Sequence, residues 1–122
     1  MKKNYIFTLL MTLCLTGTSF GQYSDLFISM YAEGSSNNKF IEIYNGTGSS
    51  VDLSDYMIKG SNNGGDWKGA RDLTLTSTLV DGEVYVISTD QSDASILAVA
   101  DLALPYESAL HYNGDDAIGL FK

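Results

Sequence analysis

The stretch LFISMYAEGSSNNKFIEIYNGTGSSVDLSDYMIK, residues 26–59, decides the fold. Apolar and polar side chains alternate with period two through most of it, as in strands that lay one face on a core. Leu26, Ile28 and Met30 fall on one face of a first strand, and Phe27, Ser29 and Tyr31 on the other. After a polar loop at 34–38, Phe40 to Tyr44 forms a second strand, with Ile41 and Ile43 inward and Phe40, Glu42 and Tyr44 outward. Asn45-Gly46-Thr47-Gly48 is turn chemistry, because Asn and Gly tolerate positive φ. Val51-Asp52-Leu53 alternates again, but the phase slips at Ser54-Asp55 before Tyr56 and Ile58 resume it. A one-residue slip turns side chains to the wrong face, so a bulge or a corner is predicted there.

Downstream the same grammar continues. Residues 60–69 form a loop that carries Trp67, and Leu73, Leu75 and Leu79 mark a Thr-rich strand. Asp81-Gly82 is a hairpin signal leading into a strand from Val84 to Ser88. Ser92 or Asp93 caps a short helix over Ala94 to Ala100, and Pro105 lies in a connecting segment. Tyr112-Asn113-Gly114-Asp115-Asp116 is a tight turn before a final strand, Ala117 to Phe121. Short strands separated by regular turns, with one minor helix, predict an all-β sandwich. Phe121-Lys122 closes an alternating run with no turn after it, which predicts a domain that lacks its last strand in this chain.

Upstream, residues 1–21 have the layout of a secretory signal peptide. Lys2 and Lys3 supply the positive end, Tyr5 to Leu15 the apolar run, and Ser19 and Gly21 the small residues before a cut at Gln22. The apolar run is shorter than the roughly 20 residues that span a bilayer, so no membrane span is expected once the signal is removed. Cys14 leaves with the signal, and the product at 22–122 has no cysteine for a disulfide framework. Its five basic residues (Lys39, Lys59, Lys68, Arg71 and Lys122) stand against fifteen acidic ones, a net charge of −10. Nucleic-acid binding depends on Lys and Arg neutralising phosphates, so direct binding by this domain is not expected.

Residues 26–31, 38–45 and 51–56, followed by Leu79-Val80-Asp81-Gly82-Glu83-Val84-Tyr85-Val86-Ile87 and Asn113-Gly114-Asp115-Asp116-Ala117-Ile118-Gly119-Leu120, resemble the bacterial branch of the lamin-tail domain in order and spacing. The resemblance covers about residues 26–122. It implies an immunoglobulin-like β-sandwich with no catalytic centre of its own, so any enzymatic activity belongs to sequence beyond Lys122. Such domains are commonly attached to secreted nucleases and other hydrolases, often N-terminally. Glu33-Gly34-Ser35-Ser36-Asn37-Asn38-Lys39 looks most like the module that precedes extracellular endonucleases. The function implied is that of a module secreted or held at the surface of a Gram-negative bacterium. There it tethers, positions or stabilises a hydrolase encoded downstream, and its partner is that catalytic domain or a cell-surface component. The alternative is a cell-surface adhesion or carbohydrate-binding module. Met30 departs from the family, which usually has Glu there, and this removes a polar role at that position.

Few residues carry chemistry. Trp67 in its Gly-rich loop is the strongest contact candidate, since exposed loop aromatics mark interfaces, although it can equally plug the open end of the sandwich. Tyr44, with Tyr31, Phe40 and Tyr56, offers an aromatic face for binding sugars, against cross-strand packing as the plainer role. Asp115 and Asp116 are candidates for a weak Ca²⁺ site, because hard cations take several oxygen ligands. Their spacing is not that of an EF-hand, and a turn explains them as well, so no cofactor is expected beyond that ion. Glu42 is expected to pair with Lys39 or Lys59, and His111 has no cysteine or second histidine to build a zinc site with. Asn45-Gly46-Thr47 matches a glycosylation sequon by accident.

Overall fold

The period-two stretch folds into antiparallel neighbours: β1 spans Phe27–Glu33 and β2 spans Lys39–Tyr44. The computed structural model describes residues 22–122 apart from Lys68 and Tyr106; the expected signal peptide at 1–21, with Cys14, lies outside the described residues. One expectation fails inside β1. The register slips between Ile28 and Met30, so that Ile28 faces Ile43 while Met30 faces Glu42, leaving Ser29 as the extra residue of a bulge. A bulge shifts the phase by one residue. Met30 therefore leaves the core face and stands exposed, while Tyr31 turns to the side of Ile41.

The slip at Ser54-Asp55 is a corner. Val51–Asp52 is β3, and a single 3₁₀ turn, Leu53–Asp55, follows it with the Asp52 carboxylate accepting the Ser54 N–H at 2.9 Å. Strand β4, Met57–Ser61, then starts in a second sheet. The Thr-rich run is two strands rather than one: β5, Leu73–Thr74, and β6, Thr78–Leu79, separated at Ser77, whose φ is +103°. Gly82 makes the expected turn with φ +81°, but no hairpin closes there. β6 pairs with β3, whereas β7, Val84–Thr89, pairs with β2. Helix α1 covers only Ala94–Leu97. Asp93 stands at its N-cap without capping it, because its carboxylate accepts the Asn38 amide at 2.8 Å. This helix lies in the crossover that β8, Leu102–Leu104, needs to run parallel to β7, a strand where the sequence shows only a connecting segment. β9 is Ala117–Phe121, as expected, and pairs with β4 along all five residues.

The result is a β-sandwich with sheets ordered β1-β2-β7-β8 and β5-β4-β9, and a two-stranded β3-β6 piece. Ile41, Ile43 and Ile87 of the first sheet and Ile58 of the second, all fully buried, form the core with Leu53, Leu75, Leu110 and Tyr112. Since alternate residues of a strand point to opposite faces, Tyr44 and Lys59, next to Ile43 and Ile58, lie on the two outer faces. Among the described residues no helix is long and apolar enough to cross a membrane.

Candidate functional site

Trp67 is carried back onto the second sheet by a bridge to Ser61, at the end of β4. On this sheet Met57 faces Phe121 and Lys59 faces Gly119, and these pairs point outward because Ile58 between them is core. The indole meets the Phe121 ring edge-on, with centroids 5.0 Å apart and planes at 77°. It also lies over Gly119, where an added Cβ would stand 3.2 Å from the indole and 2.9 Å from the Phe121 ring. Glycine is what lets the ring come down. Lys59 holds its ammonium 5.4 Å from the centre of the Phe121 ring and pairs with Asp72 at 3.1 Å. Trp67 keeps 45% of its surface exposed, laid on the outside of the sheet rather than sealing the end of the core.

Next to this aromatic pair runs a groove of about 290 Å³ between Ser54, Tyr56, Met57, Thr74, Phe121 and Lys122. The buried Tyr56 donates its hydroxyl to the Asp25 carboxylate, and Lys122 reaches the same carboxylate at 3.1 Å while lying 5.0 Å over the Tyr56 ring. The Tyr56 hydrogen bond holds the Asp25 carboxyl below its ordinary range, and burial pushes the Tyr56 phenol up. Nothing in the sequence marks Phe121, Met57 and Lys59 as site residues. The alternation of 117–121 does place Phe121 on the face opposite Ile118 and Leu120, but nothing local tells that Trp67 comes to rest against it.

Tyr44 lies elsewhere. It is half-buried on the outer face of the first sheet, edge-on to Phe27 at 5.7 Å and to Tyr23 at 6.2 Å. Gly46 sits under these rings, where a Cβ would stand 2.6 Å from Tyr23 and 2.7 Å from Tyr44. Tyr31 packs on Tyr112 with centroids 4.6 Å apart, and Tyr56 is buried under Lys122. Tyr31 and Tyr56 thus belong to packing groups separate from that of Tyr44, while Phe40 shares the outer face of β2 with Tyr44 by alternation, and Trp67 and Tyr44 occupy opposite outer faces of the sandwich.

The acidic turn is a turn. Asp116 accepts the backbone N–H of Asn113 at 3.0 Å on one carboxylate oxygen and that of Asn63 at 2.8 Å on the other. Asp115 is exposed, and among the described residues no three His, Cys, Asp or Glu side chains gather as a metal-ligand set. Calorimetric titration with millimolar Ca²⁺ is expected to give no binding heat. Asp116→Ala is expected to lower stability by about 1–2 kcal/mol through its two lost hydrogen bonds, with or without calcium. A calcium-dependent rise in melting temperature that Asp116→Ala abolishes would establish the metal reading.

Glu42 pairs with neither lysine: it faces Met30 across the bulge and accepts the Ser29 hydroxyl at 2.8 Å. Lys39 turns instead toward Glu33 at 4.0 Å and the carbonyl of Tyr112. His111 lines a polar cleft of about 150 Å³ with Asn37, Lys39, Thr89, Ser108 and Asn113, and its carbonyl accepts Arg71 at 3.1 Å. The sequon asparagine, Asn45, is fully buried with its amide committed to internal carbonyls.

The model of the lamin tail domain family matches residues 21–122. Among curated proteins none matches the chain. That match runs the length of the sandwich, from the residue before Gln22 through β9, and includes both outer faces described above. The family is one of non-catalytic, immunoglobulin-like domains, in keeping with a site built of packed aromatics and committed carboxylates, and the chain belongs to the lamin tail domain family.

Proposed function

We propose that this lamin-tail module is an exported accessory domain, secreted or held at the surface of a Gram-negative bacterium, which tethers, positions or stabilises an extracellular hydrolase, specifically a nuclease. The observation that carries the reading is the Trp67–Phe121 pair on the outer face of the second sheet, beside an open groove and flanked by Lys59. Half-exposed aromatics next to a concave surface are the usual anchors of a protein contact. With a net charge of −10 over residues 22–122, such a module repels nucleic acid, and grip on a polynucleotide falls to the enzyme it accompanies. Reading the open frame past Lys122 tests the assignment. A nuclease or other hydrolase domain supports it, whereas adhesive repeats or a sorting tail sink it.

Carbohydrate binding at the cell surface is a second reading, favoured by one feature: an exposed indole is a stacking surface for sugar rings as well as for protein. Retention of the purified chain on whole cells and on insoluble polysaccharide measures it. Trp67→Ala is expected to lower retention on its true target several-fold. The melting temperature should move little, since the residue is 45% exposed. Unchanged retention on both materials removes Trp67 from the contact.

A further inference from the structure

The chain holds three Asn-Gly pairs, Asn45-Gly46, Asn63-Gly64 and Asn113-Gly114. In such a pair the main-chain nitrogen after asparagine attacks the side-chain amide most readily, because glycine puts no side chain in its way. The three pairs differ in what the fold leaves free. Asn45 is buried, and hydrogen bonds fix its amide at both the nitrogen and the oxygen. Asn113 is exposed, but the Gly114 N–H donates to the Glu33 carboxylate at 3.1 Å. That nitrogen must lose its proton before it attacks, and a neighbouring carboxylate disfavours a second anion. Asn63 has neither restraint. It is exposed, and among the described residues neither its side-chain amide nor the Gly64 N–H makes a hydrogen bond. A Cβ added at Gly64 would meet no atom within 4 Å.

We propose that Asn63 is a site of spontaneous deamidation and that the change is transmitted to Trp67. The Gly64 nitrogen, its proton lost to hydroxide, bonds to the side-chain carbonyl carbon of Asn63. The bond to the amide nitrogen breaks, and that nitrogen takes a proton from water and leaves as ammonia. Water then opens the succinimide ring at either carbonyl. Opening at the main-chain carbonyl gives isoaspartate, whose main chain runs through the former side chain, and opening at the other gives aspartate. Both products carry a new carboxylate next to Asp116, which accepts the main-chain N–H of this residue at 2.8 Å. Isoaspartate also lengthens a tight turn. Asn63 and Gly64 are its central residues, at φ +51° and +66°, and the Gly65 N–H closes it on the Asn62 carbonyl at 3.0 Å. Such a turn needs both central residues in the left-handed region, a geometry that a longer backbone does not keep. The turn leads out of β4 to the bridge between Ser61 and Trp67, and the Ser61 hydroxyl donates to the Gly65 carbonyl within it. Opening the turn frees the indole from Phe121 and Gly119.

Peptide mapping of the full chain, aged at mildly alkaline pH and body temperature, tests the site. Cleavage after Lys59 and Lys68 isolates residues 60–68, and fragmentation assigns the new acid to a single residue. Conversion at Asn63 is expected several-fold ahead of Asn113, with Asn45 unchanged. In urea, where the fold no longer distinguishes them, the three pairs should convert at comparable rates. Comparable rates in the folded chain, or Asn113 or Asn45 ahead, overturn the assignment. Trp67 is the only tryptophan of the chain, so its emission reads the second step. A shift to longer wavelength is expected to follow conversion in the parent chain. It should be absent from aged Asn63→Gly, which suits the left-handed turn and has no amide to lose. Unshifted emission in fully converted protein, or an equal shift in aged Asn63→Gly, overturns the link to Trp67.

Discussion

Replacing Tyr112 with alanine is expected to cost about 3–5 kcal/mol, the range for deleting a buried aromatic, out of a total stability of about 5–15 kcal/mol for a small domain. Tyr112 is 2% exposed. Its hydroxyl reaches the carbonyls of Ala32 at 2.7 Å and Phe40 at 3.1 Å, which belong to directly paired residues of β1 and β2. Its ring packs on Tyr31 and under the Lys39 ammonium at 5.4 Å, and its own carbonyl accepts Lys39. One side chain thus ties the segment before β9 to the far end of the first hairpin. Alanine leaves a cavity, unpaired carbonyls and an ammonium without its ring. Tyr112→Phe keeps the packing and should lose only about 1–2 kcal/mol, the share of the hydroxyl.

The pH dependence separates the two parts. Burial pushes the Tyr112 phenol well above its ordinary value, and burial with the neighbouring Glu33 brings Tyr31 up to about 12. A phenol whose folded pKa is raised favours the folded state fully below its unfolded value of about 10. That stabilisation is lost as pH rises from there through the folded value. Urea unfolding at pH 8 and pH 11 should therefore show a steep alkaline loss in the parent chain and a shallower one in Tyr112→Phe. Equal slopes would mean that the phenol does not titrate on unfolding.

How far the sequence discloses this arrangement depends on whether a signal is local. β2 and β9 are legible because alternation alone places Ile41, Ile43, Ile118 and Leu120 on the core side, and nothing interrupts it. The β1 bulge is not, since Ser29 fits an unbroken alternation and only the pairing with β2 shows that it is extra. Alternation alone therefore sets Met30 on the core face, the opposite of where it stands. Asp81-Gly82 has true turn chemistry, but a turn does not say whether its flanking strands pair with each other. Here they pair with β3 and β2, more than 25 residues back. The split of 73–79 rests on Ser77 at φ +103°, a conformation its residue type does not announce. At the site, Trp67 is legible from its Gly-rich loop context. Its partners Phe121 and Gly119 are more than 50 residues away in sequence, and only the fold brings them under the indole.

Asn45 is the other position where a large effect is expected, and its sequence context, a sequon in a Gly-rich turn, points the wrong way. The residue is fully buried. Its amide nitrogen donates to Ser49 and Leu79 carbonyls, both at 2.8 Å, and its carbonyl oxygen accepts the Thr47 N–H at 3.1 Å and hydroxyl at 2.8 Å. Its main chain adds bonds to Glu83 at 3.0 Å and from Gly82 at 2.7 Å. The exits of β2 and β6 therefore meet on one side chain, and the start of β7 joins them through the main chain of the same residue. Asn45→Ala strands buried polar groups that cost about 1–3 kcal/mol each, so a loss of about 3 kcal/mol or more is expected. Asn45→Asp keeps the shape but aims an anionic oxygen at two carbonyls. Burial and those dipoles favour its neutral form, which raises the folded pKa above the unfolded value. Its stability is then greatest below the unfolded pKa and falls as pH rises through the folded one, the opposite sign to Asp25, whose lowered pKa makes stability fall on acidification. Urea unfolding at pH 5 and pH 7 should find Asn45→Asp relatively stabilised at the lower pH and Asn45→Ala unchanged between them. A variant of either kind as stable as the parent at pH 7 would show that water, and not Asn45, holds these strand ends together.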